Sequence, residues 1–188
     1  MKNLLIIGFV FPEPNSTAAG TRMMQLIDLF QKNNYAITFA SSASKTDKSF
    51  NLETINIKTQ EIKLNDANFD KLLKKINPII VLFDRFLTEE QFGWRVSEIC
   101  PKAIRILDTE DLHFLRNARQ LSIKNKIKIS TDLLFNEIAK REIASIYRCD
   151  LSLIISKYEL KLLKKTFKID KSLLFYLPFL LDKIDLKK

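Results

Sequence analysis

Four short and mostly apolar stretches, residues 4–10, 79–83, 104–107 and 151–155, limit what this chain can fold into. A strand with one wet face alternates apolar and polar residues. A strand covered on both faces reads as a nearly continuous apolar run, the pattern of parallel sheets flanked by helices. Between the runs lie segments with helical spacing. In residues 21–33, Met24, Leu26, Ile27, Leu29 and Phe30 supply an apolar face, and in 88–99 Phe92, Val96 and Ile99 do the same. Strand and helix alternating in this way are successive βαβ units. The expected fold is a doubly wound, Rossmann-like α/β parallel sheet of six to seven strands with helices on both faces.

The remaining segments fill that frame. Residues 35–40 read as the second strand and 54–64 as a third, at an edge, from the alternation of Ile55, Ile57 and Ile62. A short helix over 66–76 is capped by Asn65 or Asp66, and Thr88 is placed to cap the next one, with Glu89 and Glu90 in its first turn as dipole partners or ligands. Residues 112–128 are helical and basic, 132–147 form one long helix, 157–168 another, and 172–177 a last strand. The 188 residues suffice for one substantial domain, expected over 1–182, with 183–188 as a tail or the start of a linker. The excess of Lys and Arg gives a net charge of +9, which favours an anionic partner such as a phosphate-bearing substrate or a membrane surface. The basic 112–128 segment lacks the interleaved aromatics of a nucleic-acid stacking platform. Two cysteines without ligand spacing fit a reducing, cytoplasmic setting, and no run is long enough to span a membrane.

Chemistry is expected at the carboxyl ends of the strands, where open α/β sheets hold ligands. The run 104–107 breaks into Asp108, Glu110, Asp111 and the chain's single histidine, His113. Asp84 and Arg85 end the run 79–83, and Ser156 ends 151–155. After the first strand, the Pro-rich loop 12–20 offers Asn15, Ser16, Thr17, Gly20 and, one turn on, Arg22 as donors to a phosphate or to sugar hydroxyls. It is also readable as a plain connector. It carries neither G-x-G-x-x-G nor the P-loop pattern, which disfavours a nicotinamide-dependent oxidoreductase. Asp108, Glu110 and His113 are the candidate catalytic groups, as base, hydroxyl ligands or polarising imidazole, and Asp111 is also placed to cap the next helix. No metal set is discernible among them.

The order of these features resembles the N-terminal half of retaining glycosyltransferases of the two-domain GT-B fold. The carriers are the apolar strand at 4–8, the loop ending at Gly20, Thr21 and Arg22, the Met/Leu helix, His113 after a central strand, the strand–Ser156–helix segment, and Pro178 before Asp182. The resemblance implies an acceptor-binding domain that transfers sugar from a nucleotide-sugar donor to a glycan or lipid-linked acceptor, such as a cell-envelope polysaccharide precursor. It implies no cofactor beyond that co-substrate. In the resembled family the donor is held mainly by a C-terminal domain, through a basic residue and a pair of glutamates. Nothing after Asp182 supplies these, so the chain is expected to be a truncated, acceptor-side half, inactive alone. The first loop has one glycine where many relatives have two. The alternative is a non-catalytic domain docking on an anionic membrane, peripherally at its cytoplasmic face, or on a partner protein.

Overall fold

The computed structural model describes residues 2–180. Seven strands form one sheet: β1 (Lys2–Gly8), β2 (Tyr35–Ser41), β3 (Lys58–Glu61), β4 (Ile80–Asp84), β5 (Ile104–Asp108), β6 (Leu151–Ile154) and β7 (Leu174–Tyr176). Every pairing is parallel and the spatial order is β3-β2-β1-β4-β5-β6-β7. The chain therefore winds outward from β1 to β3, returns to the middle, and winds the other way from β4 to β7. The reversal falls between β1 and β4, where doubly wound sheets open a crevice at their carboxyl ends.

Alternation within the apolar strands sorts them between two cores. Leu5 and Ile7 of β1 and Val81 and Phe83 of β4 face α2 (Ala67–Ile76), α3 (Arg85–Ile99), α6 (Glu137–Arg148) and α7 (Lys157–Lys165). Leu4, Ile6, Ile80 and Leu82 face α1 (Ala18–Lys32) and the short 3-10 turn at Leu52–Ile55. Leu4, Leu5, Ile6 and Ile7 are all fully buried. Each such side chain contributes roughly 1.5–3 kcal/mol relative to exposure, so β1 anchors both cores.

Several boundaries differ from the sequence reading. Residues 54–64 are not one strand: Ile55 sits in the 3-10 turn, Asn56 is left-handed (φ 60°), and only Lys58–Glu61 pairs, as an edge. Thr88 does not cap α3. The chain turns from β4 into the helix with no loop, through a left-handed Arg85 (φ 72°), and Thr88 lies in the first turn donating to the Asp84 carbonyl at 3.0 Å. Glu89 and Glu90 fall beyond the first turn of α3 and are not its dipole partners. They hold α6: Arg148 grips the buried Glu89 with both Nε and Nη2, and Arg141 pairs with Glu90. The long helix expected over 132–147 is two pieces, α5 (Thr131–Leu134) and α6. Asn136 separates them, accepting from Ala139 N at 2.9 Å and donating to Leu133 and Phe114 carbonyls. α4 (His113–Asn125) ends sooner than expected, at a left-handed Lys126. The expected tail at 183–188 lies outside the described residues.

Candidate functional site

At the reversal between β1 and β4, Phe9 N donates to Asp84 Oδ2 at 3.0 Å, tying the ends of the two strands. β1 ends at Gly8, where a Cβ would stand 2.2 Å from the Phe39 ring. The loop that follows is braced from the side: Phe50 N donates to the Pro12 carbonyl, and Ser16 N and Thr17 N both donate to the Glu13 carbonyl. Thr17 caps α1 by accepting from Gly20 N at 2.9 Å. A Cβ on Gly20 would lie 2.4–2.6 Å from the Glu13 backbone, so only glycine lets the first turn of α1 pack on the loop.

Between these pieces lies a hollow of about 200 Å³ bounded by Phe9, Thr17, Gly20, Asp84, Arg85 and Glu110, among others. Its polar wall is unusual. Arg85 donates to Glu110 Oε2 at 2.8 Å and lies 3.6 Å from Asp84 Oδ1, with its guanidinium 5.2 Å from the Phe9 ring centre. Asp84 is 5% exposed, and its Oδ1 has no hydrogen-bond partner. Burial, reinforced by the Glu110 charge and opposed by Arg85, pushes Asp84 up to about 7, and burial raises Glu110 as well. Arg85 and Glu110 both hold positive φ, 72° and 57°. Such strained conformations in bulky residues cluster at functional sites. A larger hollow of about 560 Å³ lies at the other end of the sheet, near Asn3 and Ile76, far from these groups along the strands.

Arg22 and Asp108 belong together rather than to the hollow. Arg22 is 1% exposed and donates through Nε and Nη2 to both Asp108 oxygens at 2.7–3.0 Å, while Nη1 reaches the Leu177 and Pro178 carbonyls. Each of its three nitrogens is bonded inside the protein. The pair fastens α1 to the end of β5 and to the chain leaving β7, where Leu180 N also donates to Gln25 Oε1. Asn15 and Ser16 are exposed and border a separate surface hollow with Lys48 and Ser49. Ser156 is the N-cap of α7, accepting from Tyr158 N and Glu159 N.

His113 opens α4 and is not among the residues that line the hollow; its ring is edge-on to Phe86 at 5.3 Å and its Nε2 lies 3.7 Å from Asp111 Oδ1. Burial and the nearby Arg116 depress it to about 4, so the imidazole is neutral at pH 7. Asp111 does not cap α4; it pairs with Arg116 at 3.2 Å. The cap comes from other helices. Glu142 of α6 accepts from His113 N and Phe114 N, and Glu159 of α7 accepts from Leu112 N. Both carboxylates are buried, and burial lifts Glu142 to about 8. Sequence reasoning passed over these two acids and Phe9. A signal existed: Glu142 falls on the same helical face as Ala139 and Ile146, where an acid must have a buried partner.

No protein-family model and no curated protein matches this sequence. Among solved structures, the chain is similar to the apo lipopolysaccharide outer core galactosyltransferase WaaB, with TM-score 0.56 and 16% identity over 94% of this chain and 46% of that one. It is also similar to sucrose-phosphate synthase from Thermosynechococcus elongatus, with TM-score 0.54 and 10% identity over 95% and 48%. The fold is that of a GT-B N-terminal half. An α-glucosyltransferase in complex with UDP-glucose and DNA containing an abasic site matches as well, with TM-score 0.57 and 13% identity over 97% and 43%. The chain thus spans a little under half the length of each of these glycosyltransferases.

Proposed function

We propose that this chain is the acceptor-side domain of a nucleotide-sugar-dependent glycosyltransferase, working on a glycan or lipid-linked acceptor of the cell-envelope type at the cytoplasmic face of a membrane. The single observation that carries the reading is buried Asp84, whose Oδ1 accepts no hydrogen bond, in a hollow it shares with Glu110, Arg85 and Phe9 at the point where the sheet reverses. A buried oxygen that lacks a donor gains a hydrogen bond when a hydroxyl moves in beside it. Two carboxylates and one guanidinium, with an aromatic face alongside, suit a neutral polyol better than an anion. A carboxyl group poised near neutral pH is also placed to take a proton from an attacking hydroxyl. In this reading Glu110 and Arg85 orient the acceptor, and His113, held neutral at the flank, donates or accepts a hydrogen bond. Asp108 acts at one remove, by holding Arg22.

Saturation-transfer NMR of the chain with oligosaccharides, a glycolipid analogue, a sugar nucleotide and NAD tests it. The expected result is signal from the glycan probes that drops several-fold in Asp84→Asn and Glu110→Gln, whose folds are checked by circular dichroism. Signal from NAD instead, or glycan signal indifferent to both substitutions, overturns the assignment.

A further inference from the structure

The longest continuously exposed segment in this part of the fold is also apolar and cationic. Residues 123–132 are all exposed, and Ile123, Lys124, Lys126, Ile127, Lys128 and Ile129 fall within seven positions. Ile123 is 79% exposed and Ile127 and Ile129 nearly half. The segment is not a loose end. Lys126 is left-handed, its N–H closes on the Ile123 carbonyl, and Ile127 N donates to the Ser122 carbonyl, so the α4 terminus is a formed turn that holds its isoleucines outward. The side chains of Lys124, Lys126 and Lys128 have no hydrogen-bond or ion-pair partner among the described residues, whereas Arg116 is tied to Asp111. Isoleucines grouped in the open mark an interaction surface. Unpaired lysines between them specify what it meets.

We propose that this tip is a membrane-docking element that inserts Ile123, Ile127 and Ile129 into the headgroup boundary of an anionic bilayer while the three lysines meet lipid phosphates. Acidic protein partners satisfy the lysines but not isoleucines spread round a turn. A bilayer interface takes both in any orientation about the normal. No described helix is long and apolar enough to cross a membrane, so the contact is peripheral. The 13 residues of α4 place the tip about 20 Å from His113. Docking there keeps the hollow within reach of a headgroup-borne acceptor. That consequence rests on the proposed function; the docking itself does not.

Co-sedimentation of the 188-residue chain with vesicles of phosphatidylcholine, with and without phosphatidylglycerol, decides the matter without donor or turnover. The expected result is binding to the anionic vesicles only, weakened by salt. Replacing the three lysines by glutamine lowers partitioning roughly 100-fold, at about 1 kcal/mol for each cation near the surface. Replacing the three isoleucines by serine lowers it by roughly tenfold or more and makes the residual binding more salt-sensitive. All six side chains are exposed, so both variants fold. Failure to bind anionic vesicles, or binding unchanged in either variant, overturns the proposal. So does self-association in sedimentation equilibrium that the serine variant abolishes, which assigns the face to a second copy of the chain.

Discussion

Asp84 is an acid whose surroundings resist its ionisation. Its folded value of about 7 lies above the ordinary 3.8, so the folded state holds a proton that the unfolded state has released between those values. Stability from this group is full below about pH 4 and is lost as pH rises to about 7. Around it, Glu110 and Asp108 push in the same direction while Arg85 and the Phe9 N–H oppose. Asp84→Asn keeps an acceptor for Phe9 N and removes the titration. Urea titrations across pH 4 to 8 are expected to show the variant gaining on the parent as pH rises, by on the order of 4 kcal/mol in total. A constant difference would place the proton elsewhere. Arg22 is the opposite case, a charge whose partner is built in. Arg22→Met strands Asp108 in the core and costs about 3–5 kcal/mol by denaturant unfolding, and the double variant with Asp108→Asn recovers part of that loss. Sequence alone singled out both residues, since each ends or follows a strand. It could not tell that they serve one another, because 86 residues separate them and only the folded register brings them together.

At the scale of elements, the strands were legible because burial on both faces leaves its mark residue by residue. Helix starts were less so, since what satisfies a terminus can come from anywhere. α3 has no side-chain cap, and α4 is capped by acids 28 and 47 positions away. Thr88 and Asp111 looked right locally, but the chain turned earlier in one case and the terminus was filled from α6 and α7 in the other. Glu142→Gln leaves one oxygen for two N–H donors and turns an amide toward them. It is expected to cost about 1–2 kcal/mol and to speed hydrogen exchange at His113 and Phe114 selectively. Uniform exchange across α4 would show that the cap matters less than packing. Gly20→Ala sets a helix gain of about 1 kcal/mol against a Cβ driven into the Glu13 backbone. Backbone cannot step aside as a side chain tip can, so the net is a loss of roughly 1–3 kcal/mol, read as a lower midpoint in urea.

For the whole molecule, the reversal of strand order between β1 and β4 matters most, because it gathers Phe9, Gly20, Asp84 and Glu110 at one opening. That opening is small. Sites that enclose a drug-sized ligand run to roughly 300–1,000 Å³, and the hollow here is about 200 Å³, room for part of an acceptor and not for a nucleotide and its sugar. Arg85, which lines it, is also committed to Glu110, and Arg22 to Asp108, which leaves neither guanidinium for a leaving diphosphate. Transfer requires the anomeric carbon, the acceptor hydroxyl and that diphosphate to be held together, and orientation alone accounts for roughly 7–11 kcal/mol of such barriers. Charge stabilisation at the leaving group is commonly the largest further contribution. The 188-residue chain is therefore expected to bind glycan weakly and to release no nucleoside diphosphate from a sugar nucleotide above the uncatalysed background in a coupled assay. Diphosphate release that Asp84→Asn abolishes would mean that this domain supplies the whole reaction centre, and that Arg85 leaves Glu110 when the donor arrives.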